Sequence, residues 1–275
     1  MGFTMDFCCP KCGGELALVS EKVKKCPLGH SYDRAKEGYF NLLLSAGGGN
    51  HGDNAEMVRA RREFLSYGYY EPLARRLSEL VLKYTERCGA VLDAGFGEGY
   101  YTDIVERALY ERDGDSLVLG FDISKDAVRY AAKRNPRITS AVASSYDIPI
   151  KDGTVNTVIN VFSPLATEQM KRVLSDGGYF IMVYPAERHL FGLKEKIYDN
   201  PYLNEPKDTS IDGFEIVFSE KLAYNFTVTG SEHVRALFMM TPYAYRTGKD
   251  GRERVLSLAE VECEAEFLID VYRKV

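Results

Sequence analysis

The chain has 275 residues, 45% hydrophobic and 27% charged, and so reads as an ordinary soluble globular protein with room for one large domain and a small appendage. No apolar run reaches the roughly 18 residues of a membrane span. The first nine residues also lack a basic-then-apolar leader, so a cytoplasmic location with no membrane partner is expected. A formal net charge of −5 argues against non-specific adhesion to nucleic acid; an RNA partner would need a local basic patch, and no DNA partner is expected.

Residues 1–36 form a Cys- and Lys-rich head. Cys8, Cys9 and Cys12 crowd into its start, and Cys26 follows. In a reducing compartment such a cluster binds metal more often than it forms disulfides. Cys9-Pro10-Lys11-Cys12 is a C-x2-C pair and Cys26-Pro27-Leu28-Gly29-His30 a C-x3-H pair, 13 residues further on. Four soft ligands in two short pairs suit tetrahedral zinc and leave no open position, so the role is structural. About thirty residues bury too little to fold alone, and the metal would supply the difference. Cys8 could replace Cys9 as a C-x3-C pair, but the two-residue gap with proline after the first cysteine favours Cys9. The alternative is a set of free cysteines in a mobile tail.

Residues 45–53 hold Gly47, Gly48, Gly49, Asn50 and Gly52, a linker composition. From residue 55 to about 86, Met57, Phe64, Leu65, Leu73, Leu77, Leu80 and Val81 recur at helical spacing, interrupted at 68–72, which predicts two helices. Strands follow at 90–93, 116–122, 140–143, 155–162 and 178–184, with helices at 100–110, 125–134 and 168–174. That alternation predicts a doubly wound, mostly parallel α/β sheet. Two more strands, 214–228 and 262–272, flank a helix at 231–240.

The first of these strands runs into Asp93-Ala94-Gly95-Phe96-Gly97-Glu98-Gly99, and a helix follows, the context a glycine-rich ligand turn needs. Gly95 and Gly97 remove side chains so that a ligand can lie against the backbone. A dinucleotide fingerprint would require glycine at position 100, where Tyr100 stands. Asp-x-Gly-x-Gly is instead the pattern of class I, Rossmann-like methyltransferases that use S-adenosylmethionine. Asp122, at the end of the next strand, is placed to accept from ribose hydroxyls, and Glu98 to lie near the methionine end. Ser144 or Ser145, after the third strand, is placed to contact adenine; a plain polar loop is the alternative.

Further motifs widen the reading. They are residues 33–43 (DRAKEGYFNLL), 52–57 (GDNAEM), 60–65 (ARREFL), 95–102 (GFGEGYYT), 185–190 (PAERHL) and 240–243 (MTPY). With the two metal pairs, they make the chain resemble the RlmA-type, zinc-containing 23S rRNA guanine-N1 methyltransferases, whose relatives include tylosin-resistance enzymes. The resemblance spans nearly the whole chain. It implies zinc on Cys9, Cys12, Cys26 and His30, and S-adenosylmethionine on Gly97 and Glu98, joined by Tyr70 and His189. It also implies a 23S rRNA hairpin as substrate and a homodimer whose zinc modules flank an RNA cleft. The domain reading is then a zinc-binding, RNA-recognition module over 1–40, a linker over 41–54 and a methyltransferase domain over 55–275. Two departures stand out: Phe96 replaces a cysteine of several relatives, and residues 160–165, the segment expected to face the reacting base, differ.

Methyl transfer from a sulfonium is an in-line displacement in which positioning supplies much of the rate. Guanine N1 carries a proton that needs an acceptor, or an O6 charge that needs stabilising. Glu98 and His189 are the acceptors the sequence offers. Basic residues for RNA cluster in the first third: Lys11, Lys22, Lys24, Lys25, Arg34, Lys36, Arg59, Arg61, Arg62, Arg75 and Arg76. A solvated face neutralised by neighbouring glutamates is the alternative. Two other functions share the same turn: a small-molecule methyltransferase, which has no use for a basic zinc head, and a non-catalytic RNA-binding factor, which would not bind S-adenosylmethionine.

Overall fold

A computed structural model describes residues 5–44, 52–206 and 208–275. The glycines 47–49 and Asn50, on which the linker expectation chiefly rests, lie outside the described residues. The head contains a small antiparallel sheet of β1 (Ala17–Ser20), β2 (Val23–Lys25) and β3 (Ser31–Asp33), followed by β4 (Phe40–Asn41). Helices α1 (Ala55–Ser66) and α2 (Glu71–Tyr84) come next. The Asn54 side chain accepts from the Met57 N–H and starts α1. Gly68 at φ +82 ends it, and Pro72 opens α2 where a missing N–H costs nothing.

The winding then proceeds as the alternation predicts: β5 (Ala90–Ala94), α3 (Tyr100–Arg112), β6 (Leu117–Asp122), α4 (Lys125–Arg134), β7 (Thr139–Val142), β8 (Val155–Val161), α5 (Thr167–Val173) and β9 (Leu174–Pro185). The chain closes with α6 (Phe191–Ile197), β10 (Phe214–Thr229), α7 (Ser231–Met239), α8 (Tyr243–Arg246), α9 (Lys249–Leu256) and β11 (Glu260–Lys274). No described helix is long and apolar enough to cross a membrane.

The large sheet has the order β10-β11-β9-β8-β5-β6-β7-β4. β11 runs antiparallel to both its neighbours, whereas the other neighbouring pairs are parallel. β5 is buried along its whole length, as a central strand covered on both faces must be. Strand order reverses between β5 and β8, and ligands of such sheets bind outside the carboxyl ends at that point. The glycine turn follows β5 there.

Two expectations are corrected. The head-to-linker boundary at residues 40 and 41 falls inside β4, whose Phe40 and Asn41 pair with Ala141 and Val142 of β7. The Leu42 N–H donates to the Val142 carbonyl at 2.9 Å, so residues 41–42 belong to the sheet. The cause is apolar: Phe7, Leu16, Phe40 and Leu42 are buried in one cluster with Leu92, Leu119, Phe121 and Ala141 of the sheet. The head is therefore docked on one sheet face, an arrangement that the Cys8 N–H extends by donating to the Pro149 carbonyl at 2.7 Å. The second correction is β9, which begins at Leu174 rather than 178 and leaves α5 without an intervening loop.

Candidate functional site

The turn after β5 takes its shape from three left-handed glycines, at φ +88 (Gly95), +58 (Gly97) and +82 (Gly99). Their surroundings differ. A Cβ on Gly95 would lie 1.9 Å from Ser163 Oγ, and one on Gly99 2.9 Å from the Ala131 Cβ of α4. A Cβ on Gly97 would meet nothing within 4 Å. Gly95 and Gly99 are thus glycines of close packing, and Gly97 is the one bordering open space. Phe96 lies beneath the turn, buried, its ring against the backbone of Gly120. Asp122 fastens the turn from below: its Oδ2 accepts from the Gly97 N–H at 3.0 Å and its Oδ1 from the Ser124 N–H at 2.8 Å. Each oxygen keeps a further lone pair for ribose hydroxyls. Ser144 follows directly on Ala143, whose N–H donates to the Asp122 carbonyl at 3.1 Å. The Ser144 Oγ accepts from the Tyr146 N–H at 3.2 Å.

Buried polar atoms normally find partners. Among the described residues, the side-chain atoms that are buried without one are Asp93 Oδ1, Glu98 Oε1 and Tyr101 Oη, which lie at the end of β5, in the turn and in the first turn of α3. The partnered oxygens are well held. Asp93 Oδ2 accepts from Thr102 Oγ1 at 2.6 Å, and Glu98 Oε2 from Arg134 at 2.5 Å. Burial pushes Asp93 up to about 7, Thr102 opposing and Asp122 adding to the rise. Burial also raises Glu98 against the pull of Arg134, and raises Asp122 against its two backbone donors. Three desolvated carboxylates, two with an empty acceptor, complement a ligand that carries positive charge and N–H donors. The ammonium and sulfonium of S-adenosylmethionine fit that acceptor set, with Asp93, Gly97, Glu98 and Asp122 as the residues that would hold it, while Gly95 makes room for Ser163 and so shapes the turn.

Tyr70 and His189 do meet, though they are far apart in sequence. Tyr70 caps α2 and His189 lies in the turn after β9; both are buried. The Tyr70 hydroxyl is 3.2 Å from His189 Nε2. His189 Nδ1 accepts from the Glu266 N–H at 3.4 Å, which leaves the ring proton on Nε2, donated to Tyr70. Burial, with Lys194 adding to it, holds His189 down at about 3. Both ring nitrogens are thus engaged within the fold, and burial opposes protonation of the imidazole. Glu98 gives Oε2 to Arg134 and keeps Oε1 unpartnered. Phe162, within the 160–165 segment expected to face the reacting base, lies 6.3 Å from His189 and 6.4 Å from Tyr101, centroid to centroid; sequence reasoning gave Tyr101 no role of its own. Tyr101 carried a signal only in its place, first turn of the helix after the glycines.

In the head, the ligand atoms of Cys9, Cys12, Cys26 and His30 all lie within 4.8 Å of one another. His30 Nδ1 is 3.4 Å from Cys9 Sγ and 3.3 Å from Cys26 Sγ, and Cys12 Sγ is 3.6 Å from Cys26 Sγ. Ligands around tetrahedral zinc stand about 3.5–3.8 Å apart given its bond lengths, so the cluster fits that ion. Each pair carries a left-handed glycine at its end, Gly13 just after Cys12 at φ +69 and Gly29 just before His30 at φ +82. Cys8 is outside the cluster; it is buried, and burial raises its thiol.

The basic residues expected on an RNA face separate into two groups. Lys24 is buried against Asp6 and the Phe40 ring, and Arg61 pairs with Asp53 and donates to the Met240 carbonyl. Arg75 and Arg76 are engaged with Glu71, Glu79 and Glu220. Lys11, Lys22, Lys25, Arg34, Lys36, Arg59 and Arg62 remain exposed.

Comparison with known proteins extends these findings. A zinc-ribbon family model described as "RlmA, N-terminal" matches residues 7–44, and one described as "Methyltransferase domain" matches residues 91–178. The chain is 35% identical over 237 residues to the 23S rRNA (guanine(748)-N(1))-methyltransferase of Streptomyces fradiae, covering 82% of this chain and 77% of that one. A Bacillus subtilis chain bearing the 23S rRNA (guanine-N(1)-)-methyltransferase name is 28% identical across 98% of this chain and 96% of its own length.

Proposed function

The chain belongs to the 23S rRNA (guanine-N1)-methyltransferase family, and from that premise we propose that it moves a methyl group from S-adenosylmethionine to N1 of a guanine in a 23S rRNA hairpin. The observation that carries the reading is the convergence of unpartnered Asp93, Glu98 and Tyr101 atoms on the one turn that also borders open space at Gly97. The cofactor supplies an electrophilic methyl on sulfur. The residues described here bind and orient: Asp122 and Ser144 toward the nucleoside, Glu98, Tyr70 and His189 toward the methionine end. The buried His189 helps keep that end dry and fixed. Cys9, Cys12, Cys26 and His30 would hold structural zinc. The exposed lysines and arginines of the head and α1 are the phosphate contacts this reading requires. A homodimer follows from the family resemblance.

The test is transfer of labelled methyl to 23S rRNA lacking the mark, followed by primer-extension mapping. The position named for the Streptomyces fradiae relative, guanine 748, is the first to inspect. No transfer to any hairpin of that RNA refutes the reading. Removing residues 1–40 is a poor way to separate it from small-molecule methylation, because that deletion takes Phe40 out of the sheet and exposes part of its core.

A further inference from the structure

Phe162 stands at the carboxyl end of β8, next to the glycine turn, where strand order reverses. Its backbone is left-handed, at φ +56. For a bulky residue that conformation is an outlier, and such outliers cluster at functional sites. The surroundings hold it there. The Phe162 N–H donates to the Val183 carbonyl at 3.0 Å. Asn160 Nδ2 donates to the Ala94 and Pro164 carbonyls, each at 3.3 Å, stapling the loop to the end of β5. Ser163 fills the space beside Gly95. The result is a ring turned outward: Phe162 is 43% exposed although Phe267, His189 and Tyr101 rings lie within 6.4 Å of it. Glycine or asparagine would relieve the backbone, and a polar side chain would suit the exposure. Phenylalanine therefore brings backbone strain and leaves part of an apolar ring in water, beyond what its contacts with the three rings require.

We propose that Phe162 is the stacking platform for the guanine that is methylated, receiving an unstacked purine on its open face beside the cofactor turn. The proposal rests on the rRNA reading above. Enzymes that modify bases extrude them and hold them by stacking on aromatic or apolar side chains, and every purine offers a π-face to such a ring. The left-handed backbone has a purpose in this account, since it aims the ring out of the sheet rather than into the core.

The experiment uses the full-length, zinc-loaded chain with unmodified 23S rRNA transcript and labelled S-adenosylmethionine. Phe162→Gly removes both ring and strain, Phe162→Leu keeps apolar bulk, and Phe162→Tyr keeps a ring. For Phe162→Gly and Phe162→Leu, kcat/KM for RNA should fall about 10- to 100-fold, the loss of one base–aromatic stack. S-adenosylhomocysteine affinity should stay within about twofold, and Phe162→Tyr should restore most of the activity. The melting temperature of Phe162→Gly should drop by only a few degrees, because released left-handed strain offsets part of the lost ring packing. Unchanged kcat/KM in Phe162→Gly overturns the proposal. So does a loss of cofactor affinity and melting temperature that matches the loss of activity, which would make the ring structural. If the unsubstituted chain transfers nothing, the functional reading itself has failed.

Discussion

Gly97→Ala separates cofactor space from packing. Gly97 has φ +58, and its missing Cβ points at nothing within 4 Å. Adding the methyl costs the left-handed penalty of an L-residue, about 1 kcal/mol, which corresponds to about 2–4 °C in melting temperature for a domain of this size. No steric cost is added in the ligand-free chain. The same change at Gly95 meets Ser163 Oγ at 1.9 Å, so overpacking of about 1–3 kcal/mol joins the backbone penalty. Thermal melting should then rank Gly95→Ala well below Gly97→Ala, and Ser163→Gly should recover part of the loss in the double variant. Calorimetric titration with S-adenosylhomocysteine should rank them differently: Gly97→Ala loses tenfold or more in affinity (about 1.4 kcal/mol) because its methyl enters the ligand's space. Gly97→Ala with affinity within twofold of the unsubstituted chain would falsify the placement of the cofactor on the open side of the turn.

Three other outcomes follow from the geometry. Cys26→Ser should abolish the bound zinc measured by atomic absorption and destabilise the chain by several kcal/mol, as the roughly 10 kcal/mol of structural zinc sites implies. Cys8→Ser should leave the metal content unchanged, and metal loss in that variant would overturn the ligand set. Asp93, at about 7 in the folded chain, lies above its unfolded value of about 3.9. Between those values the native chain binds the extra proton, so this group's contribution to stability is full below about pH 4 and is lost as pH rises through about 7. Asp93→Asn should therefore flatten the pH dependence of melting of the ligand-free chain between about pH 5 and 7; a steeper slope contradicts the assignment. Tyr70→Phe leaves the buried His189 Nε2–H without its partner at 3.2 Å. It should cost about 1–3 kcal/mol in denaturant unfolding and weaken cofactor binding, and unchanged stability would mean another acceptor takes the proton.

The legible parts of this molecule are those written in local spacing. Ser124 and the apolar period after it give α4 its bounds, and the short runs of buried strands give β5 to β8. The zinc ligands are legible because each pair is a single turn. Tyr70 and His189 were reachable only through resemblance, since 119 positions separate the two residues and no local pattern connects them. The Glu98–Arg134 pair, 36 positions apart, left no trace in the sequence. Lys24 was misread for a specific reason: in a Val-Lys-Lys strand the alternation alone does not say which parity faces inward, and Asp6 with Phe40 decided for Lys24. The short helices α6, α8 and α9 follow turns, such as that at Leu190 with φ +56, whose conformation tertiary contacts impose.

The docking of the head on the sheet has a thermodynamic consequence. β4 is the neighbour of β7, and β7 ends at Val142, two residues before Ser144 on the nucleoside side of the turn. The small core around Cys9 and Cys26 is continuous with that under Leu119 and Phe121. Metal and cofactor are then two ligands of one cooperative unit, each raising the stability of the state the other binds. Calorimetry should find a single melting transition that zinc and S-adenosylhomocysteine both move, so that starving the protein of either ion or cofactor makes it a poorer receptor for the other.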